Sequence, residues 1–338
     1  MNKYEIVTIG SAFQDLFVFS NDFKVVNDRS FKSGKSLSFD YGAKNDIENL
    51  SYQIGGSAIN SAVSFSKIGY NSAVTSFVGT DQTGEKIIDL LRSNNIDYLG
   101  SSTNKETNTS IILSCSGDRT ILAYHGQNDY NDLTISKSLK TDWFYLAPIG
   151  SEFDKLENKI IENIAKNSTG FIWNPGPTQI KKKASAYKHL LRLCNIIVLN
   201  KEEIFSFTSC GRVEEAMRKI YQLGSKIIVV TDGKNGSFGF DGSVYYKIDT
   251  SADERVDATG AGDAFASTFA ARAIKECCSK PASHIVSRES MIESLRWAVI
   301  NSGSVVSKVG SNEGLLTTDE ILERLKKLAK LEPTLYNR

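Results

Sequence analysis

Six short strand-like runs separated by helical stretches constrain this chain more than any other feature of its sequence. Ile6 to Ile9, Ala73 to Val78, Trp143 to Leu146, Gly170 to Trp173, Ile196 to Leu199 and Ile227 to Thr231 are apolar almost throughout. They do not alternate polar with apolar positions, so each is expected to be covered on both faces. Between them, Ala58 to Lys67, Thr83 to Ser93, Lys155 to Ala165, Ser185 to Leu193, Lys201 to Thr208 and Val213 to Leu223 carry helical patterns. This βα rhythm predicts an α/β fold with a mostly parallel central sheet and helices on both faces.

Two regions break the rhythm. The stretch from about Phe13 to Ile54 is rich in aromatics, Ser and Asp, with strand-like pieces at Leu16 to Phe19 and Ser36 to Tyr41. Thr107 to His125 reads as a hairpin: Ser110 to Cys115, a turn at Ser116-Gly117-Asp118, then Thr120 to Tyr124. Together they predict a small β-sheet projecting as a lid, its segments inserted at about 13–54 and 107–125 of one domain spanning 1–330. Residues 331–338 read as a C-terminal tail.

Composition narrows the function classes. Lys plus Arg number 40 against 39 Asp plus Glu, so no overall positive field draws nucleic acid. Lys181 to Lys183 and Lys326-Lys327 are short runs expected on solvated faces. No charged leader precedes the first strand and no apolar run approaches the ~20 residues that cross a bilayer. The five cysteines lack metal-ligand spacing, and adjacent Cys277 and Cys278 read as reduced helix residues of a cytoplasmic protein.

The most specific chemistry lies in Arg255-Val256-Asp257-Ala258-Thr259-Gly260-Ala261-Gly262-Asp263-Ala264-Phe265. An extended segment enters a glycine-broken turn, and a helix from Ala264 to about Lys275 begins at Asp263. Glycines let backbone approach a ligand, and a helix start offers unpaired N–H groups to an anion. A carboxylate beside an anion cradle suits a general base that takes a proton from a hydroxyl attacking a phosphoryl group. The alternative is a helix-start carboxylate that satisfies its own N–H groups.

Two common nucleotide motifs do not apply. Gly79-Thr80-Asp81-Gln82-Thr83-Gly84-Glu85-Lys86 has Glu where a P-loop needs Lys, and Ile87 cannot hold magnesium. The first strand ends in Gly10-Ser11-Ala12-Phe13-Gln14-Asp15 with no dinucleotide fingerprint.

Five elements in order instead resemble the ribokinase-like (PfkB) family of carbohydrate and nucleoside kinases over nearly the whole chain. Gly55-Gly56-Ser57-Ala58-Ile59-Asn60, a helix ending at Gly69, then Phe77-Val78-Gly79-Thr80-Asp81-Gln82-Thr83-Gly84 are similar to the family's first signature. Asp257 to Phe265 is similar to its second. Between them lie Asn174-Pro175-Gly176-Pro177, Asn200-Lys201-Glu202-Glu203 and Thr231-Asp232-Gly233-Lys234-Asn235-Gly236.

The resemblance implies a three-layer, Rossmann-like kinase fold that transfers the γ-phosphoryl group of ATP to an alcohol. It makes Asp263 the catalytic base and the N–H groups of Gly260, Ala261 and Gly262 an anion hole. Asp15, Gly55, Gly56, Asn60 and Asp257 would bind the acceptor. Asn200 and Glu203 would organise Mg²⁺ through water, though the pair also reads as a capping box. Thr231, Gly233, Gly236, Gly262 and Asn301 would line the nucleotide. A monovalent cation such as K⁺ would sit near Asp257, Thr259, Val305, Lys308 and Gly310.

The acceptor stays open between a sugar, or sugar derivative, and a nucleoside. Gly-Gly followed by Ser57-Ala58-Ile59-Asn60 is also close to adenosine-type kinases, and Leu146-Ala147-Pro148-Ile149-Gly150 lacks the polar residue common in sugar kinases. Phe13, Phe17 and Tyr124 either stack on a base or fill the lid's own core. A silent binding protein is the rival from another class, and a second copy of the chain is a candidate partner at the lid's strand edges.

Overall fold

The side chains of each central strand alternate between two apolar cores, which is why the strands read as unbroken apolar runs. Ile6, Trp143, Tyr145, Ile172, Val198 and Val229 enter one core, with helices Ser57–Ile68, Ala261–Ile274 and Arg288–Val306. Val7, Phe144, Leu146, Phe171, Ile197 and Ile228 enter the other, with helices Asp154–Asn167, Lys201–Thr208 and Val213–Leu223. Burying a large apolar side chain contributes about 1.5–3 kcal/mol, so flipping one strand's register would lose both faces together.

The computed structural model describes residues 3–337 except 32, 116–117, 127–128, 137–138, 151–152, 252, 276–285 and 329–330. Cys277, Cys278 and the turn residues Ser116 and Gly117 lie outside that set.

Among the described residues, ten strands form the main sheet. From one edge these are Thr334–Tyr336, Tyr245–Ile248, Ser237–Phe240, Ile227–Thr231, Ile196–Asn200, Gly170–Trp173, Thr141–Leu146, Tyr4–Ile9, Ser72–Thr75 and Asp97–Tyr98. Every pairing from Ile227–Thr231 to Asp97–Tyr98 is parallel, and the first three strands add antiparallel edges. The expected tail is therefore partly sheet, because Thr334–Tyr336 pairs with Tyr245–Lys247. Chain order reverses at Tyr4–Ile9, which pairs with Thr141–Leu146 on one side and Ser72–Thr75 on the other. Such a reversal leaves a crevice at the carboxyl ends of the strands, where ligands of α/β sheets bind.

The expected strand Ala73 to Val78 divides into Ser72–Thr75 and Phe77–Gly79, in separate sheets. At the break, Ser76 is buried and its hydroxyl donates to the Gly10 carbonyl at 2.6 Å. The expected helix from Ser185 opens as a 3-10 turn over Ala184–Tyr187 and becomes α-helical at Lys188–Leu193.

The lid is a second, four-stranded sheet in the order Asp118–Tyr124, Thr109–Cys115, Phe13–Phe19, Asn49–Gly55. A further hairpin, Lys24–Asn27 with Lys35–Ser38, stands apart from it. The segment that mimics a P-loop anchors the lid's root. Asp81 caps helix Gln82–Ser93 by accepting from Gly84 N at 2.8 Å, and also takes Thr107 N and Oγ1 at 2.9 and 2.6 Å. Among the described residues, no helix is long and apolar enough to cross a membrane.

Candidate active site

Gly260 opens the helix Ala261–Ile274 in the left-handed region, with φ 75°, where a β-carbon would press on Ser311. No side chain caps this end, and Ala261 N makes only a long bond, 3.3 Å, to the Ala258 carbonyl, so the first-turn N–H groups can turn to a ligand. A β-carbon at Gly262 would meet nothing within 4 Å; the glycine leaves open space beside those N–H groups.

That space belongs to a cavity of about 280 Å³ lined by Thr231, Gly233, Gly236, Gly262, Phe265 and Gly303, among others. Thr231 and Asn200 end adjacent parallel strands in register, so strand termini, two glycine turns and a helix start converge there. Gly236 is fixed by its φ of 88° and by the Ile248 carbonyl, on which a β-carbon would fall. A compact anion with an attached planar group fits such a cavity.

Asp263, in the helix's first turn, is half-buried. Asn60 Nδ2 donates to its Oδ2 at 2.8 Å, and Asn60 Oδ1 accepts from Ser311 Oγ at 3.0 Å. Desolvation raises the Asp263 pKa above the ordinary carboxylate range, while hydrogen bonds from Asn60 and Ser57 oppose the rise. Gly56, with φ 95°, lets the first turn of helix Ser57–Ile68 meet the Ser11 backbone and so sets Asn60 in place.

Asp15 enters from the root of the lid, 7% exposed, with strand neighbours Ser110 and Gln53. Burial pushes its carboxyl up to about 6; a Ser110 hydrogen bond lowers it, and the charges of Asp263 and Asp257 raise it further. Gly55 lies against it, since a β-carbon there would fall on Asp15 Oδ2. Asp15, Gly55, Asn60 and Asp263 thus gather where lid meets sheet, next to the anion-binding helix start.

Not every expected residue joins them. Asn301 is fully buried, with Nδ2 donating to Thr268 Oγ1 at 2.7 Å and Oδ1 accepting from Leu316 N at 2.9 Å. It holds the core of two helices together and does not line the cavity. Asp257 spends its carboxylate within the protein: Oδ1 accepts from Thr259 N and Oγ1 at 3.0 and 2.8 Å, and Oδ2 from Gly310 N at 3.1 Å. Phe17 is 2% exposed and fills the lid, Phe13 packs edge-on against His125, and exposed Tyr124 donates to Glu106.

Asn200 and Glu203 form the capping box in full, Asn200 N to Glu203 Oε2 at 2.8 Å and Glu203 N to Asn200 Oδ1 at 2.9 Å. Glu203 also faces Asp263, whose charge adds to the burial that raises its pKa. Among the described residues no three acidic, His or Cys side chains converge on a metal. Glu203, a lone carboxylate with Oε2 engaged in the cap, fits an ion held chiefly by water and phosphate.

Sequence reasoning missed Ser110, Arg119, Ser251, Asp253, Gly303 and Ser311. Ser110 and Arg119 come from the lid hairpin, and Ser311 follows the C-terminal glycine turn.

Comparison with known proteins decides the family, for residues 17–318 match the description pfkB family carbohydrate kinase. The chain is a member of the pfkB family. A curated relative, the ATP-dependent 6-phosphofructokinase of Thermoanaerobacterium thermosaccharolyticum, is 24% identical over 81% of this chain and 82% of its own. The nucleoside kinase of Methanocaldococcus jannaschii superposes with a TM-score of 0.74 at 19% identity, over 97% of this chain and all of that one. The Arabidopsis thaliana ribokinase solved with ribose and ATP gives 0.71 at 20% identity, over 96% and 99%. The large, mostly parallel sheet with its helices and the small separate sheet are thus a ribokinase-like fold.

Proposed function

We propose that this pfkB protein transfers the γ-phosphoryl group of ATP to a hydroxyl of a small sugar or sugar derivative. One observation carries the reading: the Asp263 carboxylate, held by Asn60 in the first turn of an uncapped helix, lies near enough to the lid-root carboxylate Asp15 for its charge to act on it. Asp15 and Asn60 bind and orient acceptor hydroxyls, because a carboxylate accepts and an amide both donates and accepts. Asp263 takes the proton of the attacking hydroxyl. The acceptor oxygen forms its bond to the γ-phosphorus while the bond to the bridging oxygen breaks, and ADP leaves. The raised proton affinity of Asp263 suits that task, and N–H groups at Gly260, Ala261 and Gly262 stabilise the transferring anion. Glu203 and Asn200 would hold Mg²⁺ through water, and the ion, when bound, would offset the charge of the phosphates. Thr231, Gly233 and Gly236 line the nucleotide's path.

The experiment is a panel of pentoses, hexoses, sugar phosphates and nucleosides, read by ADP release. Turnover of a sugar supports the assignment. Turnover of adenosine, inosine or cytidine alone would replace it with a nucleoside kinase, a reading favoured by the Phe13 and His125 rings beside the lid's root. No turnover with any acceptor would leave the binding-protein alternative.

The lid sheet carries exposed Leu50, Tyr52 and Leu122, and the hairpin Lys24–Asn27 with Lys35–Ser38 and the residue after it add exposed Val25, Val26 and Phe39. Covering that apolar surface with a second copy would give a homodimer, which sedimentation velocity would detect. A kinase drawing on ATP in this way belongs in the cytoplasm.

A further inference from the structure

Two members of the oxygen set expected to hold a monovalent cation, the Asp257 carboxylate and the Val305 carbonyl, are already engaged by donors of the protein itself. Asp257 already accepts three hydrogen bonds from Thr259 and Gly310, and Arg119 Nη1 stands 3.4 Å from its Oδ1. The Val305 carbonyl is turned to N–H groups as well, accepting from Ser307 N and from Lys308 N at 3.1 Å. Cation binding would have to displace those donors and bring a second positive charge against the guanidinium.

The loop nevertheless needs positive charge. Asp15, Asp257 and Asp263 face one another closely enough for the latter two to act on the first. Asp257 introduces the turn, Ala258 to Gly260, that leads into the helix start whose N–H groups, at Gly260 to Gly262, must receive a phosphoryl group. We propose that Arg119 supplies this charge from the lid, taking the place of a monovalent cation, and positions the anion-hole loop through Asp257. Arg119 is carried by the strand Asp118–Tyr124 at the edge of the lid sheet, and its side chain reaches from there to Asp257. The charge therefore reaches Asp257 only while the lid strand lies over the site. Arg119 is a positioning residue, since it acts on the hole by way of Asp257 and its Thr259 partner. A lid that carries the charge couples acceptor enclosure to completion of the hole, so that phosphoryl transfer to water is disfavoured while the site is open.

This rests on the phosphotransfer reading, and the test keeps the two apart. Wild type, Arg119→Ala, Asp257→Asn and the double variant are melted in KCl, NaCl and choline chloride at equal ionic strength, without substrates. Wild type is expected to melt at the same temperature in all three salts. A K⁺-specific rise in its melting temperature would overturn the proposal whether or not any acceptor is found. With the acceptor identified by the panel, wild-type kcat should vary by less than about twofold among the salts, and Arg119→Ala should lose at least about tenfold in kcat, as expected for misplacing a reacting site. Nucleotide KM should stay near the parent value. Guanidinium at low, non-denaturing concentration or K⁺ should recover part of the Arg119→Ala loss, and Arg119→Ala should cost little more in the Asp257→Asn background. Strong K⁺ activation of wild type, or additive losses in the double variant, would overturn it.

Discussion

Asn60 Nδ2 donates to Asp263 Oδ2 at 2.8 Å, joining the first turns of two helices that lie 203 residues apart in the chain. Asn60 is held in turn by Ser311, so the carboxylate is oriented by a buried chain of side chains and not by its own helix. Asp263→Asn should keep the fold and nucleotide binding yet lower kcat at least ~10²-fold, the usual contribution of a general base. Turnover within a few-fold of the parent would remove Asp263 from that role.

Asn60→Ala removes the orienting amide and leaves Ser311 Oγ without its acceptor. It should lower kcat and raise acceptor KM together, at a stability cost of about 1–3 kcal/mol for the lost buried partner. Steady-state kinetics with a denaturant melt separates the two effects. An unchanged kcat would show that Asp263 is oriented without Asn60.

Asp15 should make acceptor binding pH-dependent. Its carboxyl is pushed up to about 6, so acceptor KM should rise as pH falls through that value and the hydroxyl's partner is protonated. The sign for stability is opposite. A folded-state pKa above the unfolded one favours folding at acid pH, and the advantage disappears as pH rises through about 6. Asp15→Asn should therefore stabilise the protein at pH 8 by on the order of 2–3 kcal/mol and leave it nearly unchanged at pH 4, while weakening the acceptor. A lower melting temperature at pH 8 would contradict burial, joined by the charges of Asp263 and Asp257, as the cause of the raised pKa.

Two glycines separate the subsites. Gly55→Ala would drive a β-carbon onto Asp15 Oδ2, and Gly303→Ala one onto Ser251 Oγ. The first should raise acceptor KM and spare ATP, and the second should do the reverse. Two-substrate kinetics that showed both variants affecting the same KM would collapse the distinction.

Glu203→Gln preserves the capping box, since Gln also serves at that position, but removes the charge. It should leave the melting temperature close to the parent and raise the Mg²⁺ concentration for half-maximal rate several-fold. Asn200→Ala, which breaks the cap, should cost about 1 kcal/mol of stability. A Glu203→Gln enzyme with unaltered Mg²⁺ response would restrict the pair to capping.

Legibility in the sequence followed the range of the interactions involved. The strands Gly170–Trp173 and Ile227–Thr231 and the helices Lys201–Thr208 and Val213–Leu223 occupy the residues their patterns predict, because periodicity and capping are local. Ser237–Phe240 and Tyr245–Ile248 escaped notice because they are short antiparallel strands, where Lys247 faces solvent and Gly239 packs beside Met291. Asn301 shows the limit for side chains. Its place in the motif suggested the nucleotide, but both ends of its amide satisfy buried groups on neighbouring elements. Asp257 shows the same limit, for nothing in the local sequence announces that Arg119 arrives from the lid.

The sequence by itself determined the α/β alternation, the lid insertions and the glycine turn that opens a helix at Asp263, since apolar period and backbone freedom are properties of neighbouring residues. Only the tertiary structure decided which carboxylates stand together. Asp15 comes from one segment and Asp257 and Asp263 from another far along the chain, and the raised pKa of Asp15 and Asp263 follows from burial. A pattern along the chain encodes neither the meeting nor the burial, because folding brings these groups close through contacts that span 50 to 250 residues.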